Sequence, residues 1–227
     1  MLIANGAKFS VRVGTSDEAV ITDKNGDTKR TLKLVKPGDI WLDLGAYIGT
    51  FCIPALLKGV RVIAYEPNPE SRKALLANLK LNDLTCEVFP EAVVAKTFGP
   101  MITLNFTEKN SARCSSGRKW KRNNLEISVP TISFREALSR TDKMACVKMN
   151  IEGAEIEILE AIDTSLNLRR CVFNYHFDVD PKIKRLEAIL EHLKTQNYTV
   201  QKPTKLPDHE TWKWFPASIW GWFERAN

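Results

Sequence analysis

The stretch that most constrains the fold is a short apolar run followed by a loop that contains two glycines. Ile40–Leu44 is apolar except for Asp43, which is the pattern of a short buried strand. Gly45 and Gly49 come next, and an apolar helical run begins at Thr50. A strand, a glycine turn and a helix start form the first unit of a nucleotide-binding α/β fold, so the sequence predicts that class.

A second apolar run, and the acid that ends it, indicate what the loop binds. Residues 60–65 read as a strand, and Glu66 follows about twenty residues past the turn, where an acid accepts hydrogen bonds from a ribose diol. The spacing Asp43-x-Gly45-x-x-x-Gly49 differs from the G-x-G-x-x-G of dinucleotide sites and contains no lysine for phosphates. It favours a cofactor with an ammonium group near Asp43 and no phosphates, namely S-adenosylmethionine (SAM). The alternative is an ordinary strand, turn and helix.

The acid after the next strand is a further candidate for a cofactor contact. Residues 85–89 predict a third strand, and Glu91 and Ala92 follow at a position where related folds contact adenine. Glu91 either accepts a hydrogen bond from the adenine amine or is an exposed loop acid. The predicted cofactor contacts are Asp43, Gly45, Ala46, Tyr47, Ile48, Gly49, Glu66, Pro67, Asn68, Glu91 and Ala92.

At these residues the chain resembles the FkbM family of methyltransferases. The resemblance rests on residues 42–49, on Tyr65-Glu66-Pro67-Asn68-Pro69, on residues 76–82 and on residues 147–155, and it covers roughly residues 38–178. It implies a Rossmann-like class I fold, an α/β architecture with a seven-stranded, mostly parallel sheet and helices on both faces. The final strand is expected to be reversed, with residues 198–201 and 217–224 as the terminal pair.

The resemblance also implies SAM as cofactor and a small sugar-like or metabolite hydroxyl as methyl acceptor. The chain departs from the family at two positions, because the family usually has Asp where this chain has Asn150 and Glu where it has Asn174. An amide cannot take a proton at neutral pH, and hard cations prefer carboxylates, so we expect no metal site. The departures also leave open a noncatalytic SAM-fold binding or scaffold protein.

Composition sets the outer limits of the prediction. A chain of 227 residues, 44% hydrophobic and 26% charged, is expected to form a single methyltransferase domain over residues 1–227. No apolar run is long enough to span a membrane, and no secretory signal is recognised at the start. The five scattered cysteines predict reduced thiols and a cytoplasmic protein. The net charge of +6 leans weakly toward anionic partners.

The N-terminal segment, residues 1–37, is interpreted as an extension that precedes the core. Residues 8–13 alternate polar with apolar, residues 19–22 and 31–35 are two more extended candidates, and a turn signal lies at residues 23–27. A small β element is therefore expected here. It either covers one edge of the cofactor pocket or serves only for packing.

Residues 96–135 are predicted to form a β-hairpin insertion. Residues 101–106 and 125–129 both have strand character, and a long basic loop joins them. Cations at this density neutralise phosphates, and a tryptophan stacks on a base or a sugar, so the loop suggests a nucleotide or RNA acceptor. The alternative is a solvated loop. The predicted substrate contacts are Arg118, Lys119, Trp120, Lys121 and Arg122.

The catalytic candidates follow the fourth and fifth predicted core strands. His176 is the first candidate for a general base, because it ends the fifth strand and imidazole titrates near neutral pH; otherwise it is structural. Glu152 is the second candidate, as a base or as a group that orients the acceptor or the cofactor ammonium, and its alternative is also structural. Asn150 lies with Glu152 in the turn after the fourth strand, and Lys148, within that strand, is expected to point into the pocket. The prediction is a SAM-dependent methyltransferase acting on a hydroxyl of a sugar-like, nucleotide or RNA acceptor.

Overall fold

The structure is a computed structural model that describes residues 1–23, 26–96, 99–107, 116, 124–177, 183–201 and 218–226. Its strands are β1 (Leu2–Ala4), β2 (Ala7–Phe9), β3 (Ile40–Leu44), β4 (Arg61–Tyr65), β5 (Glu87–Phe89), β6 (Ala92–Val94), β7 (Met101–Phe106), β8 (Leu125–Ser133), β9 (Ala145–Met149), β10 (Leu168–His176), β11 (Tyr198–Gln201) and β12 (Ser218–Arg225). Its helices are α1 (Asp17–Thr22), α2 (Asp27–Leu32), α3 (Cys52–Leu57), α4 (Pro69–Leu81), α5 (Phe134–Ser139), α6 (Glu155–Glu160) and α7 (Ile183–Thr195).

The main sheet has the strand order β11-β12-β10-β9-β3-β4-β5. Strand β12 is antiparallel to both of its neighbours, and the remaining paired strands run parallel. The predicted seven-stranded, mostly parallel sheet with a reversed final strand is therefore confirmed. From β3, the chain first adds β4 and β5 on one side and later adds β9 and β10 on the other. Open α/β sheets bind ligands at such a switch point, which here lies between β3 and β9.

Alternate residues of the central strands supply two hydrophobic cores, one on each face of the sheet. Leu42 and Leu44 pack with residues of α5, α6 and α7. Trp41, on the opposite face, packs with residues of α1, α2, α3 and α4. Because both faces are covered, strand β3 is buried along its whole length, as expected for a central parallel strand. Helices on both faces were also predicted.

The predicted hairpin is present as the antiparallel pair of β7 and β8, in a register that joins Phe106 to Leu125. Strand β8 continues beyond the hairpin and pairs in parallel with β6, so the three strands form a second small sheet. Of the predicted basic loop, only Ser116 and Asn124 lie in the described part of the chain. Arg118, Lys119, Trp120, Lys121 and Arg122 fall outside the described residues, and their proposed contacts stay predictions.

The N-terminal segment differs from the β element expected there. Strands over residues 19–22 and 31–35 were wrong, because these residues belong to or follow α1 and α2. Their β-branched side chains favour strands, but the helices bury Ile21 and Leu32 against one face of the main sheet. The strand expected over residues 8–13 ends at Phe9 and pairs with β1 instead. The predicted turn is present at Gly26, which has a left-handed φ of 74°.

Two helix starts follow signals that are visible in the sequence. Asn68 precedes α4, and its Oδ1 accepts hydrogen bonds from the backbone N–H groups of Glu70 (3.0 Å) and Ser71 (3.3 Å). Ser133 precedes α5 and forms a reciprocal capping box with Glu136. Within the described residues, no helix is long and apolar enough to cross a membrane.

Candidate active site

A cavity of about 580 Å³ lies at the carboxyl ends of the central strands. Its walls come from the glycine loop, the ends of β3, β4, β9 and β10, the small sheet of β6, β7 and β8, and helices α1 and α2. Cavities of roughly 300–1,000 Å³ are typical of small-molecule sites. Ten of the candidate residues line it, namely Gly45, Tyr47, Glu66, Pro67, Glu91, Ala92, Lys148, Asn150, Glu152 and His176.

The glycine loop is held in a left-handed backbone conformation at Gly45, Tyr47 and Gly49, with φ values of 73°, 52° and 94°. A Cβ atom on Gly45 would lie 2.2 Å from the carbonyl oxygen of Asn150, so only glycine lets the loop approach the end of β9. The N–H groups of Gly45 and Ala46 both donate to the Tyr65 carbonyl at 3.0 Å. The loop is therefore anchored on both neighbouring strands.

The predicted cofactor contacts divide into residues that line the cavity and residues that support it. Ala46 and Ile48 are buried in the core, and neither they nor Gly49 line the cavity. Asn68 is also absent from the lining, because its side chain caps α4. These four positions shape the loop and the strand end, so a direct contact with the cofactor remains an untested prediction for each.

Glu66 is the buried acid at the centre of the cofactor side of the cavity. Its carboxylate accepts hydrogen bonds from the backbone N–H groups of Tyr47 (2.6 Å) and Asn68 (2.9 Å). Burial raises the pKa of Glu66 to about 7, although these two hydrogen bonds act in the opposite direction. A carboxylate has about four acceptor positions, so Glu66 keeps capacity for a ribose diol.

Asp43 is not part of the cavity lining, which differs from the expected contact with a cationic cofactor end. It is fully buried, and its Oδ1 lies 2.9 Å from Nζ of Lys148. Lys148 does line the cavity, and its ammonium also donates to the carbonyl oxygen of Gly45 at 2.8 Å. Asp43 therefore acts on the site through Lys148, which it neutralises and positions.

His176 lies between two carboxylates. Its Nδ1 is 2.6 Å from Oε1 of Glu155, and its Nε2 is 3.4 Å from Oε1 of Glu152. Burial by itself lowers the pKa of His176, but attraction and hydrogen bonding from Glu155 and Glu152 outweigh it and raise that pKa to about 10. The imidazole is then already protonated at neutral pH, so this geometry argues against the predicted role of His176 as general base. It makes His176 a cation that holds Glu152 at the cavity wall.

Glu91 is held by an arginine that sequence reasoning did not identify. Its Oε1 lies 2.8 Å from Nη2 of Arg140, whose guanidinium stacks over the ring of Phe89 at 3.9 Å. Its Oε2 is buried and has no hydrogen-bond partner among the described residues. One oxygen of Glu91 is thus fixed, and the other keeps its capacity to accept a hydrogen bond, whereas the contact with the adenine amine stays a prediction.

The N-terminal segment reaches the glycine loop through a buried ion pair. The hydroxyl of Tyr47 donates to Oδ1 of Asp17 at 2.5 Å, and Arg12 contacts both oxygens of Asp17 at 2.7 and 3.0 Å. Burial alone raises the pKa of Asp17, but the hydrogen bonds from Arg12 and Tyr47 lower it overall, so Asp17 is ionised. This contact ties the start of α1 to the glycine loop, and residues of both α1 and α2 line the cavity.

Helix α2 brings a carboxylate to Asn174 that sequence reasoning missed. The side-chain amide of Asn174, near the end of β10, donates to Oδ2 of Asp27 at 3.2 Å, and both residues line the cavity. Ser16, Thr28 and Thr31 from the same segment also line it. The only signal for this group was the density of acids and hydroxyls around the turn at residues 23–27, which was interpreted as part of a β element.

The cavity fits SAM in the part formed by the glycine loop and β4. Gly45 removes side-chain bulk where the backbone approaches Asn150, Glu66 is positioned to accept from a ribose diol, and Glu91 keeps a buried acceptor. The part formed by α2 and β10 lies in the same cavity and is lined by Asp27 and Asn174. We call the first part the cofactor lobe and the second the acceptor lobe.

Comparisons with known proteins show that the chain is similar to methyltransferases. A human tRNA (guanine(37)-N(1))-methyltransferase is 46% identical over 59 residues, which are 26% of this chain and 12% of that protein. The chain thus spans only a small part of that relative's length.

Two solved structures share the fold at low sequence identity. Precorrin-6y C5,15-methyltransferase from Geobacter metallireducens GS-15 is 18% identical, with a TM-score of 0.51, over 97% of this chain and 95% of that one. Magnesium protoporphyrin IX methyltransferase from Synechocystis PCC 6803, solved with bound SAM, is 11% identical, with a TM-score of 0.52, over 98% and 88%. The family model for the methyltransferase FkbM domain matches residues 43–216. Because that match spans most of the chain, the protein belongs to the FkbM family of SAM-dependent methyltransferases.

Proposed function

We propose that the protein transfers the methyl group of SAM to a hydroxyl oxygen of an uncharged, sugar-like acceptor. The observation that carries this proposal is the charge of the cavity wall. Its described lining contains no arginine, and its two cations, Lys148 and His176, are each held by carboxylates. The carboxylates that line it are those of Asp23, Asp27, Glu66, Glu91 and Glu152.

A wall of this kind disfavours a phosphate inside the cavity, because like charges repel more strongly where water is excluded. It favours groups that donate hydrogen bonds, since carboxylate and amide oxygens are acceptors. Asp27 and Asn174 offer such acceptors in the acceptor lobe, and the hydroxyl of Thr28 is able to donate or accept. A polyol or a sugar ring presents the matching set of hydroxyl groups.

The chain's own residues mainly position the two reactants. SAM, when bound, supplies a methyl group already activated by its sulfonium sulfur. Glu66 and the glycine loop would hold the ribose, and the charge pair of Lys148 and Asp43 would fix the loop. The acceptor lobe would align a hydroxyl oxygen with the methyl carbon, and α1 and α2 would limit water access.

A nucleotide or RNA acceptor is the second candidate, and a different observation favours it. The relative with 46% identity over the shared stretch is named as a tRNA methyltransferase. Residues 109–124, which join β7 to β8 in the sequence, carry several cations and no acid. With such an acceptor, a nucleoside would enter the acidic cavity while its phosphates contact these basic residues.

The test offers tritium-labelled SAM together with three separate acceptor pools: neutral methyl glycosides, mononucleotides and a tRNA transcript. The proposal predicts alkali-stable label in the glycoside pool, because a methyl ether resists alkaline hydrolysis and a methyl ester does not. Label in the tRNA or the mononucleotides alone would replace the first candidate by the second.

Neutralising Arg118, Lys119, Lys121 and Arg122 separates the candidates further. It is expected to leave glycoside methylation unchanged, whereas it would weaken RNA methylation and reduce its salt dependence. Tight binding of S-adenosylhomocysteine in calorimetry without label in any pool would instead support the noncatalytic alternative.

A further inference from the structure

We propose that Asp27, on helix α2 of the N-terminal segment, is the catalytic base that takes the proton of the acceptor hydroxyl. This inference rests on the proposed function, because it applies to a hydroxyl acceptor. The fold thereby supplies from residues 1–37 a carboxylate that the core strands lack at Asn150 and Asn174. The base would then lie on helix α2 of the N-terminal segment, whereas the cofactor lobe is formed by the strands and loops of the main sheet.

The position of Asp27 is the first support. Its Oδ2 accepts a hydrogen bond from the side-chain amide of Asn174 at 3.2 Å, although 147 residues separate the two in sequence. Asn174 lies at the carboxyl end of β10, two residues before His176, and both line the cavity with Asn150. A neutral amide orients the carboxylate over the strand ends without supplying a charge that would weaken it as a base.

The engagement of the other cavity carboxylates is the second support. Glu66 accepts from two backbone N–H groups in the cofactor lobe, and Glu91 is paired with Arg140. Glu152 faces the protonated His176. Each of these interactions occupies an acceptor position of the carboxylate, and Glu66 also lies in the cofactor lobe rather than beside Asn174.

Asp23 is also engaged, because its two oxygens accept from the backbone N–H groups of Asp27 (3.0 Å) and Lys29 (3.2 Å) at the start of α2. Within the described part of the chain, Arg30 lies at ion-pair distance from Asp27, with its Nη1 3.3 Å from Oδ1. The Arg30 side chain is 53% exposed, so solvent screens this contact.

The electrostatic surroundings agree with this assignment. Burial raises the pKa of the Asp27 carboxyl, and the nearby charge of Asp23 raises it further, while Asn174 and Arg30 act in the opposite direction. The other charged groups of the described cavity lining are Asp23, Glu66, Glu91, Lys148, Glu152 and His176. A carboxylate whose pKa is raised toward the operating pH is a more effective base than an ordinary exposed aspartate.

In the proposed step, methyl transfer and loss of the proton take place at the same acceptor oxygen. The acceptor oxygen forms a bond to the methyl carbon while the carbon–sulfur bond breaks and leaves its electron pair on sulfur. The hydroxyl proton passes from the acceptor oxygen to the carboxylate of Asp27. One positive sulfonium and one negative carboxylate become a neutral thioether and a neutral carboxyl group, and the proton then leaves Asp27 for solvent.

The test compares Asp27→Asn with Glu18→Gln, which removes the same charge from an exposed position of the same segment. Both are assayed with labelled SAM and the pool of neutral methyl glycosides. Asp27→Asn is expected to lower kcat by roughly 10²–10⁴-fold, because it removes a general base. Its affinity for S-adenosylhomocysteine should stay within about twofold of the parent protein's, and the fall of kcat at acidic pH should disappear. Glu18→Gln should behave as the parent protein.

A second variant separates catalysis from folding. Asp27→Ala should regain turnover as formate is added, because a small carboxylate can occupy the vacated space and take the proton. If the parent protein labels glycosides and Asp27→Asn keeps kcat within about threefold, or if formate gives no recovery, the assignment of Asp27 is overturned and the proposed function stands. If the parent protein labels no hydroxyl in the glycoside pool, the proposed function fails and the assignment fails with it.

Discussion

Nζ of Lys148 lies 2.9 Å from Oδ1 of Asp43, and these two residues are direct neighbours on the adjacent parallel strands β9 and β3. Asp43 is fully buried, so its charge is compensated by a lysine that also donates to the carbonyl oxygen of Gly45. Asp43, the acid of the glycine-loop motif, therefore does not line the cavity and affects it only through Lys148. It fixes the ammonium of Lys148, and Lys148 fixes the loop.

Removing Lys148 alone should destabilise the protein strongly. Lys148→Met leaves the buried carboxylate of Asp43 without its partner, and breaking a buried pair in this way costs about 3–5 kcal/mol. Asp43→Asn combined with Lys148→Met should recover much of that loss, because no uncompensated charge remains. Urea unfolding of the two variants measures both effects. Equal stability of the single and double variants would show that the pair is not electrostatically coupled.

Cofactor affinity should rise with pH through the titration of Glu66. Its pKa is raised to about 7 by burial, so the carboxylate that accepts from a ribose diol becomes fully available only above that pH. Calorimetric titration with S-adenosylhomocysteine across this range measures the effect. Glu66→Gln should bind at least about tenfold more weakly at high pH and lose the pH dependence, whereas the exposed Glu70→Gln should retain it.

The raised pKa of Glu66 should also make the unfolding free energy of the cofactor-free protein depend on pH. The folded state keeps a proton on Glu66 that the unfolded chain releases above its ordinary pKa of 4.5. The contribution of Glu66 to the unfolding free energy should therefore fall as pH rises from about 4.5 to about 7. Glu66→Gln removes this part of the pH dependence, and a parallel pH profile in both proteins would contradict the assigned shift.

His176 should stabilise the fold as a cation. Its pKa is raised to about 10 from 6.5, so its contribution is fully present below pH 6.5 and is lost as pH rises through about 10. His176→Gln leaves Glu155 and Glu152 facing a neutral group and should cost about 3–5 kcal/mol near neutral pH. The difference in unfolding free energy between the two proteins should shrink toward pH 10. A difference that grows with pH would show that the buried imidazole is neutral.

The glycine loop should tolerate no side chain at Gly45. A Cβ atom there would meet the carbonyl oxygen of Asn150 at 2.2 Å, and the residue has a φ of 73°. Gly38 is a matched control, since its φ is 81° but no atom lies within 4 Å of a Cβ built on it. Gly38→Ala should lower stability by about 1–2 kcal/mol through the left-handed conformation alone. Gly45→Ala should cost clearly more and abolish binding of S-adenosylhomocysteine in calorimetry.

The core of the fold was predictable because its signals are local. Short apolar runs identified the core strands, and Gly45 and Gly49 identified the turn. The side chains of Asn68 and Ser133 accept hydrogen bonds from backbone N–H groups only two or three positions away. The starts of α4 and α5 are therefore visible in the local sequence. The hairpin of β7 and β8 was likewise visible as two extended runs.

The acceptor lobe was not predictable because it depends on contacts between distant residues. Asp27 meets Asn174 across 147 positions, and Asp17 meets Tyr47 across 30. Strand propensity in the N-terminal segment was overridden by packing of α1 and α2 on the sheet. The charge of His176 also escaped prediction, since it arises from Glu155, 21 positions away in sequence.

A crystal structure of the protein with bound S-adenosylhomocysteine tests the central claim most directly. It is predicted to show the ribose hydroxyls at about 3 Å from the carboxylate of Glu66, with the sulfur directed toward the lobe of Asp27 and Asn174. A ligand that binds outside this cavity, or whose ribose contacts neither oxygen of Glu66, would contradict the account.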